Sequence, residues 1–312
     1  MRKLAYALMG AVIASPAFAQ DITIATTAIV EHPALDAVRD GVRDGLEAEG
    51  FTFNFLYESA QGNPATANQI AEQFVSEGVT VIVPISTPSA QAALTATSTI
   101  PIVFSAVTDP VAAGLLADIA NPGGNITGVS DLTPVADQLA LALQIQPDME
   151  TIGVLYNPGE ANAVVLVNLL KEAAAANNIA VVEATANNTA NVQAAAASLV
   201  GEVDAIYVPT DNTIVAALDA VIAVAEEAQI PLYAGDGDSV VAGAIASIGF
   251  DYYQHGIQTA AIVARILRGE NPGDIPVEFA TGGEIFVNPG AAERMGITVP
   301  QEVIDMAATV VQ

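Results

Sequence analysis

Short runs rich in Val and Ile alternate along this chain with Ala-rich segments of helical length, and this alternation restricts the fold more than any other feature. Residues 22–26 form the first apolar run, residues 33–49 have helical periodicity and start with a proline, and residues 51–58 form the next run. Such alternation is typical of βαβ units, in which the strands are parallel and the helices cover the sheet. The chain has 312 residues, enough for two lobes of roughly 130–150 residues each.

An internal repeat indicates that the two lobes are similar. VIVPISTPSAQAAL at 81–94 and IPIVFSAVTDPVAAG at 100–114 are echoed by AIYVPTDNTIVAAL at 205–218 and IPLYAGDGDSVVAG at 230–243. Each copy has a strand, a proline, a polar segment, an Ala-rich helix, and an Ile-Pro pair before the next strand. Repetition of one supersecondary unit predicts two Rossmann-like lobes, each with a parallel sheet.

The first nineteen residues have the pattern of a secretory signal peptide. Arg2 and Lys3 precede the apolar run 4–14, and Ala17-Phe18-Ala19 matches a cleavage site. We therefore predict a signal peptide at 1–19 and an exported mature protein. The chain contains no cysteine, so it has neither a disulfide nor a lipid-modified N-terminal Cys, which favours free diffusion in a periplasm.

Charge and composition narrow the possible partners. Removal of the leader takes away two of the 8 basic residues and none of the 35 acidic ones, which leaves a net charge of −29. A protein that binds nucleic acid needs a basic surface, so nucleic acid is excluded as a partner. Solubility in a saline habitat is the simplest reason for such acidity. His32 and His255 are the only histidines, and no calcium-loop pattern occurs, so we expect no metal and no cofactor.

Polar residues follow the predicted strands at the points where the strands end. Ser105 and Thr108 follow the apolar run that starts at residue 100, and Thr87 and Ser89 start the helix after the preceding strand. Ligands of open parallel sheets bind beyond the carboxyl ends of the strands, so two facing lobes would line one cleft with such residues. Asp109 is expected to shape the local turn.

Each of these polar positions also has a purely structural interpretation. Thr87 could be a helix N-cap. Asp211 could cap the next helix or meet a ligand ammonium from the second lobe. Asp236, flanked by two glycines, could belong to a plain turn or to a point where the backbone approaches a ligand.

Residues near other strand ends complete the candidate set. Glu31 and His32 follow the first strand, and without a nucleophile elbow they suggest ligand positioning or helix opening rather than catalysis. Tyr156 offers a ring face and a hydroxyl, which suit either a ligand or a domain interface. Tyr252 lies where the chain returns to the first lobe, and there it could pack in a hinge or stack on a ligand. His255 is expected at the surface.

Taken together, an ordered set of segments resembles a known family: VEHPALD (30–36), AQGNPATANQIA (60–71), STPSAQAA (86–93), FSAVTDPVAAGL (104–115), NITGVSDLTPV (125–135), GVLYNPGEANAV (153–164), VDAIYVPTDNT (203–213) and AGDGDS (234–239). The chain resembles the ABC-transporter substrate-binding proteins of the tryptophan/tyrosine-binding type, a branch of the type I periplasmic-binding-protein superfamily. The resemblance covers nearly the whole mature chain. It implies three crossovers between the lobes, ligand capture by hinge closure, and delivery to an inner-membrane permease with its ATPase.

The resemblance also implies roles for individual residues. First-lobe hydroxyls and helix N-termini would hold an amino-acid carboxylate, and Asp211 or Asp236 would hold the ammonium. Glu31, Tyr156 and Asn157 would border the side-chain pocket. The full predicted ligand-binding set is Glu31, Thr87, Ser89, Ser105, Thr108, Tyr156, Asn157, Thr210, Asp211 and Asp236.

From these observations we predict a non-catalytic, monomeric periplasmic receptor of an ABC importer for an amino acid, with the aromatic Trp, Tyr and Phe among the candidates. The predicted domains are an N-terminal lobe of residues 20–129 with 251–281 and a C-terminal lobe of residues 130–250 with 282–312. Two other functions remain open. A periplasmic enzyme could use carboxylates of the cleft for acid–base chemistry, and a sensor-type binding protein could dock a membrane receptor instead of a permease.

Overall fold

The computed structural model describes residues 21–311, and the predicted signal peptide at 1–19 lies outside the described residues. The strands are β1 Thr23–Ala28, β2 Asn54–Ser59, β3 Val81–Ile85, β4 Ile102–Phe104, β5 Ile126–Ser130, β6 Thr151–Tyr156, β7 Ala180–Thr185, β8 Ala205–Val208, β9 Leu232–Ala234, β10 Ala246–Gly249, β11 Glu278–Phe279, β12 Glu284–Val287 and β13 Thr309–Val310. The helices are α1 Pro33–Ala48, α2 Pro64–Glu77, α3 Thr87–Ala96, α4 Val135–Ile145, α5 Ala161–Ala176, α6 Val192–Ala197, α7 Asn212–Val215, α8 Leu218–Ala228, α9 Gly237–Ala242, α10 Tyr252–Leu267, α11 Pro289–Arg294 and α12 Gln301–Met306.

The local sequence explains where the elements begin and end. Before α2, the Asn63 side chain accepts hydrogen bonds from the Ala65 and Thr66 N–H groups, and Pro64 occupies the first helical position. At the other end of α2, Gly78 has a left-handed backbone conformation with φ 66°, which a glycine adopts without steric cost. The chain therefore leaves α2 in the direction that leads it into β3.

The first lobe is built on a parallel sheet with the order β2-β1-β3-β4-β5-β11. The second lobe contains a parallel sheet with the order β7-β6-β8-β9. A backbone hydrogen bond of 2.7 Å from Ile245 to Leu232 brings the chain that enters β10 alongside β9. Both lobes thus share the 2-1-3-4 strand order of a doubly wound fold, in agreement with the internal repeat.

One pair of strands departs from the predicted parallel arrangement. β10 and β12 are antiparallel, while β12 and β13 are parallel. Strand β12 follows the last passage between the lobes, so it enters the second lobe from the hinge side and runs against β10. The sequence pattern did not predict β12, because its residues Glu284–Val287 follow a Gly-rich segment and lack a long apolar run.

The chain passes between the two lobes three times. The first passage connects β5 to α4, the second connects β10 to α10, and the third connects β11 to β12. After the second passage, α10 packs on α1 of the first lobe so closely that a Cβ added to Gly41 would lie only 2.2 Å from the Tyr253 carbonyl oxygen. The two-lobe α/β architecture and the three crossovers agree with the fold expected from the sequence.

Apolar side chains fill both lobes. In the first lobe, one cluster includes Leu46 and Val83, and another, with Phe74 and Phe104, includes residues of α2 and α3. A third cluster fills the second lobe. No helix within residues 21–311 combines the length and the apolar character that a membrane span needs.

Some elements differ in extent from what the sequence pattern indicates. The Ala-rich helical segment that follows Asp211 in the repeat is split into α7 and α8, because Ala217 leaves the helical conformation. The strand predicted at 100–107 is only three residues long as β4, because the chain leaves the sheet after Ser105 and turns at Ala106, which has a left-handed φ of 53°. This early turn brings Ala106 and Thr108 toward the second lobe.

Candidate functional site

A narrow chamber lies between the two lobes. Its lining comes from the ends of strands and the starts of helices in both lobes, and consists of His32, Ala34, Leu35, Ala106, Thr108, Asp131, Asn162, Thr210, Asp211, Asn212, Val215, Asp236 and Tyr252. A ligand held here would contact both lobes at once.

The topology explains why these residues meet. Thr108 follows β4, Asp131 follows β5, Asp211 follows β8 and Asp236 follows β9. All four strands end at the edge of their sheet that faces the other lobe. Of the ten residues predicted to bind a ligand, this geometry brings Thr108, Thr210, Asp211 and Asp236 into the chamber.

Asp211 is both an N-cap and a chamber residue. Its Oδ1 accepts a hydrogen bond of 2.9 Å from the Ile214 N–H at the start of α7, and its Oδ2 accepts one of 2.5 Å from the Asn157 N–H. Burial raises the pKa of Asp211 well above its usual range, and the negative charge of Glu160 raises it further. The structural and the ligand-facing interpretations of Asp211 are therefore compatible.

Glu160 holds the start of α7 in place, a role that the sequence pattern does not predict. Its carboxylate accepts hydrogen bonds from the Asn212 N–H, the Asn212 side chain, the Thr213 N–H and the Thr213 hydroxyl, at 2.5–3.1 Å. The Asn162 side chain donates to the same carboxylate at 3.3 Å. Because α7 carries Asp211 at its N-terminus, Glu160 fixes one wall of the chamber.

Asp236 caps the short helix α9. Its Oδ1 accepts from the Ser239 N–H and its Oδ2 accepts from the Ser239 hydroxyl, both at 2.7 Å. Burial raises the pKa of Asp236. The predicted polar turn is thus the beginning of a helix whose capping carboxylate also lines the chamber.

Asp131 is a chamber residue that sequence reasoning missed. Its Oδ1 accepts a hydrogen bond of 3.3 Å from the Thr108 hydroxyl, and its Oδ2 accepts one of 3.0 Å from the Tyr252 hydroxyl. Burial raises the pKa of Asp131 to about 6, against the opposing effect of these two hydrogen bonds. The signal was available, because Asp131 follows a predicted strand in the same way as Asp211 and Asp236 do.

Three polar atoms at the chamber have no hydrogen-bond partner within the described residues: Asn162 Oδ1, Thr210 Oγ1 and His32 Nδ1. Burial lowers the pKa of His32 to about 4, against the smaller opposing effect of the nearby Asn212 side chain. The His32 ring is therefore neutral at pH 7. Buried polar atoms normally have partners, so these three atoms are available to a ligand.

Three of the predicted hydroxyl residues lie behind the chamber instead of lining it. The Ser105 hydroxyl pairs with that of Thr259 at 2.7 Å, and the Ser86 hydroxyl donates to that of Ser89 at 3.4 Å. The Thr87 hydroxyl is buried and has no partner among residues 21–311. The residue before Thr87, Ser86, has a φ of 88°, a conformation that is strained for a side chain other than Gly.

The remaining predicted residues lie around the chamber. Glu31 lines an adjoining pocket that shares His32, Ala34 and Val215 with the chamber. The Asn157 side chain donates to the Thr213 hydroxyl at 2.9 Å and faces a separate groove. The Tyr156 hydroxyl donates to Glu183 at 2.6 Å, away from the chamber.

Two further expectations about single residues can be compared with the structure. His255 is buried rather than exposed, because α10 packs across the end of β4 and the His255 ring accepts a hydrogen bond from the Ala106 N–H. The expectation of a surface position was wrong. Asp109 shapes its turn as predicted, since its Oδ1 accepts from the Val111 and Ala112 N–H groups.

Comparison with known proteins places this geometry in a family. Residues 23–311 match the family model described as ABC transporter substrate binding protein. A curated relative from Clostridioides difficile (strain R20291), the "Tyrosine-binding protein", is 40% identical over 269 residues, which are 85% of this chain and 78% of the relative.

Two solved structures resemble the chain over almost its full length. One is an ABC domain from Streptococcus pneumonia in complex with L-Trp, with 32% identity, a TM-score of 0.91, and coverage of 94% of this chain and 100% of that one. The other is a substrate-binding protein with adhesive properties from Clostridium difficile in a ligand-free, open structure. It has 39% identity and a TM-score of 0.70, and the match covers 93% of this chain and 99% of that one.

The fold and the interlobe chamber define a two-lobe periplasmic binding protein of type I. The match to the family model then fixes the family: this chain belongs to the ABC transporter substrate-binding proteins. The comparisons confirm the family that the sequence motifs resemble. They also confirm the predicted fold class and the predicted function of a substrate-binding protein.

Proposed function

We propose that this protein binds an amino acid in the interlobe chamber and delivers it to an ABC permease and its ATPase. The tyrosine-binding name of the relative and the L-Trp in the streptococcal structure favour an aromatic amino acid as the ligand. We propose that the protein acts in the periplasm as a monomer, and that it releases its ligand chemically unchanged.

The chamber carries this proposal. Its buried carboxylates, together with the unpartnered oxygens of Asn162 and Thr210, form a cavity whose hydrogen-bonding capacity the protein alone leaves unfilled. Small-molecule sites typically combine apolar walls with a few polar groups that fix the orientation of the ligand. Leu35, Val215 and the Tyr252 ring supply apolar surface for a side chain.

The arrangement of the lobes supports capture by closure. This chain matches the L-Trp complex with a TM-score of 0.91 at 32% identity, but matches the open, ligand-free protein with only 0.70 at 39% identity. Since the relative with the higher identity has the lower score, the orientation of the lobes accounts best for the difference. The described conformation thus resembles the one that encloses a ligand.

The predicted site residues take different parts in this proposal. Thr108, Thr210, Asp211 and Asp236 would face the ligand directly. Glu31 would border the adjoining pocket, into which a larger side chain could extend. Thr87, Ser89, Ser105, Tyr156 and Asn157 would support the chamber walls or, on opening of the lobes, offer hydrogen bonds at the entrance.

Calorimetric titration of the mature protein with each of the twenty amino acids tests the proposal. The protein should first be unfolded, dialysed and refolded to remove any ligand that was carried through purification. We expect at least one saturable signal with a Kd below roughly 100 μM. Absence of heat and of a shift in Tm with every amino acid, while a sugar or a nucleoside binds, would overturn the amino-acid assignment. Mass spectrometry of the eluted ligand should recover it unchanged, and a converted product would instead indicate an enzyme.

A further inference from the structure

The chamber buries negative charge without a positive partner of its own. Asp131, Asp211 and Asp236 all line it and are at most 4% exposed. None of its lining residues is Lys or Arg, and the ion pairs found within residues 21–311 involve none of these three carboxylates. Burial of like charges without a counter-ion is costly, so a cationic ligand group would stabilise the closed chamber.

An independent observation identifies the kind of cationic group. Asn162 is 4% exposed, and its Nδ2 donates to the Thr210 carbonyl oxygen at 3.0 Å and to Glu160 at 3.3 Å. Because both partners of the nitrogen are acceptors, the orientation of the amide is determined, and Oδ1 is the atom left without a partner. Asn162 Oδ1 can only accept a hydrogen bond and the Thr210 hydroxyl can accept one as well, whereas an ammonium group offers three donors and no acceptor.

The three carboxylates are not equivalent as ammonium partners. Each oxygen of Asp211 already accepts a backbone N–H, and Asp236 accepts both the N–H and the hydroxyl of Ser239. Both carboxylates therefore already serve as helix N-caps, Asp211 for α7 and Asp236 for α9. The side-chain partners of Asp131 are instead the two hydroxyls of Thr108 and Tyr252, which rotate freely and can turn toward another acceptor.

We propose that Asp131 supplies the negative charge that binds the ligand's ammonium group, with the amide oxygen of Asn162 as a second acceptor from the other lobe. This assignment rests on the proposed amino-acid function. It goes further by naming the residue that makes the site selective for a ligand with an ammonium group. Asp131 follows β5 at the first passage between the lobes, and its partner Tyr252 begins α10 after the second passage. An ammonium bound at Asp131 would therefore contact the hinge and both lobes together.

The assignment predicts a preference that can be measured with a pair of probes. The probes are whichever of L-tyrosine and L-tryptophan binds more tightly, and the corresponding propionate that lacks only the ammonium group. Wild-type protein should prefer the amino acid by about 100-fold or more, because loss of one partner leaves the other charge buried and unpaired. Asp131→Asn, which keeps the shape and removes the charge, should reduce this preference to less than about tenfold.

Asp236→Asn is the matched control, because it removes an equally buried carboxylate from the same chamber. It should lower the absolute affinity or the Tm but leave the preference near its wild-type value. Retention of the preference in D131N, or its loss in D236N instead, would overturn the assignment. If D131N does not fold, Asn162→Leu should reduce the preference about tenfold, and an unchanged preference would again count against the proposal.

The same titrations separate this assignment from the proposed function. If wild-type protein binds neither amino acids nor their propionates, the amino-acid function fails and the assignment fails with it. If wild-type protein binds an amino acid and its propionate equally well, the function stands and only the role of Asp131 is overturned.

Discussion

The imidazole Nε2 of His255 accepts a hydrogen bond of 3.0 Å from the backbone N–H of Ala106. Ala106 lines the chamber and has a left-handed φ of 53°, so this bond holds an unfavourable turn at the site. Only a neutral imidazole has an acceptor nitrogen. Burial lowers the pKa of His255 to about 4, which keeps the ring in the form that the turn requires.

Protonation of His255 should therefore destabilise the protein as the pH falls. The stabilisation from the neutral ring is fully present above the unfolded-state pKa near 6.5, and it decreases as the pH falls toward about 4. The free energy of unfolding should lose up to about 1.4 kcal/mol per pH unit from this residue. His32 contributes with the same sign, whereas Asp131, whose pKa is raised to about 6, contributes with the opposite sign.

Urea unfolding of wild type and of His255→Gln at several pH values between 7.5 and 4.5 isolates the contribution of His255. The variant should be less stable at pH 7.5, but its stability should fall less steeply as the pH decreases. Parallel curves for the two proteins would show that His255 does not titrate in this way.

Gly41 allows α1 and α10 to approach closely, and its replacement should destabilise the first lobe. A Cβ at Gly41 would lie 2.2 Å from the Tyr253 carbonyl oxygen and 3.0 Å from Gly256 Cα. These neighbours are backbone atoms, so relief requires the helices to separate. We expect Gly41→Ala to lower the free energy of unfolding by about 1–3 kcal/mol, as measured by chemical denaturation.

Gly290→Ala is a suitable control for this prediction. Gly290 also lies in a helix, α11, but its nearest neighbours are side-chain atoms at 3.5 Å or more, and its φ is not positive. The helix propensity of Ala should make this variant neutral or slightly more stable. Equal losses in the two variants would mean that the α1–α10 contact is not the cause.

The repeat and the polar strand ends predicted the architecture, because both are properties of single segments. The period of the apolar residues locates β3 and β8, and the residues after each strand must lie at one edge of the sheet. That argument was sufficient to select Thr108, Asp211 and Asp236 for the interlobe site.

Contacts between segments distant in the sequence could not be predicted in this way. Ser105 points to Thr259 rather than to the chamber, a choice set by the packing of α10 against β4. Asp131 follows a predicted strand, but the sequence does not show that its hydrogen-bond partner is Tyr252, 121 residues away. Likewise, the sequence does not indicate that Glu160 reaches across to α7.

Glu160→Gln should weaken ligand binding without contact between Glu160 and the ligand. The Glu160 carboxylate accepts hydrogen bonds from the backbone N–H groups and the side chains of Asn212 and Thr213. The side-chain NH₂ group of a Gln at this position would face some of these donors and could not accept from them. We expect a loss of about 1–3 kcal/mol in the free energy of unfolding and about a tenfold rise in Kd, because α7 positions Asp211. Denaturation and calorimetry on the same preparation would check both values.

Glu172→Gln provides the comparison, since Glu172 is exposed on α5, the helix that begins directly after Glu160. This change should affect neither stability nor affinity by more than the error of measurement. A normal Kd in E160Q would indicate that the network around Glu160 stabilises the lobe without shaping the site.

Thr210→Val should have opposite effects on stability and on binding. The Thr210 hydroxyl lies at the chamber, is buried and has no partner within the described residues. Replacing an unpaired buried hydroxyl by a methyl group of similar size removes a desolvation penalty, so the free energy of unfolding should stay the same or rise by up to about 1 kcal/mol. If the hydroxyl binds the ligand, the Kd should rise about tenfold.

Thr133→Val separates the two effects. Thr133 is also buried, and its hydroxyl also lacks a partner among residues 21–311, but it does not line the chamber. This variant should gain the same stability as T210V and keep the wild-type Kd, since only the desolvation term changes. Because each hydroxyl is buried in the same unpaired state, a difference in Kd between the two variants isolates the contact with the ligand. Equal Kd values would mean that the Thr210 hydroxyl is a polar group of the chamber wall that does not contact the ligand.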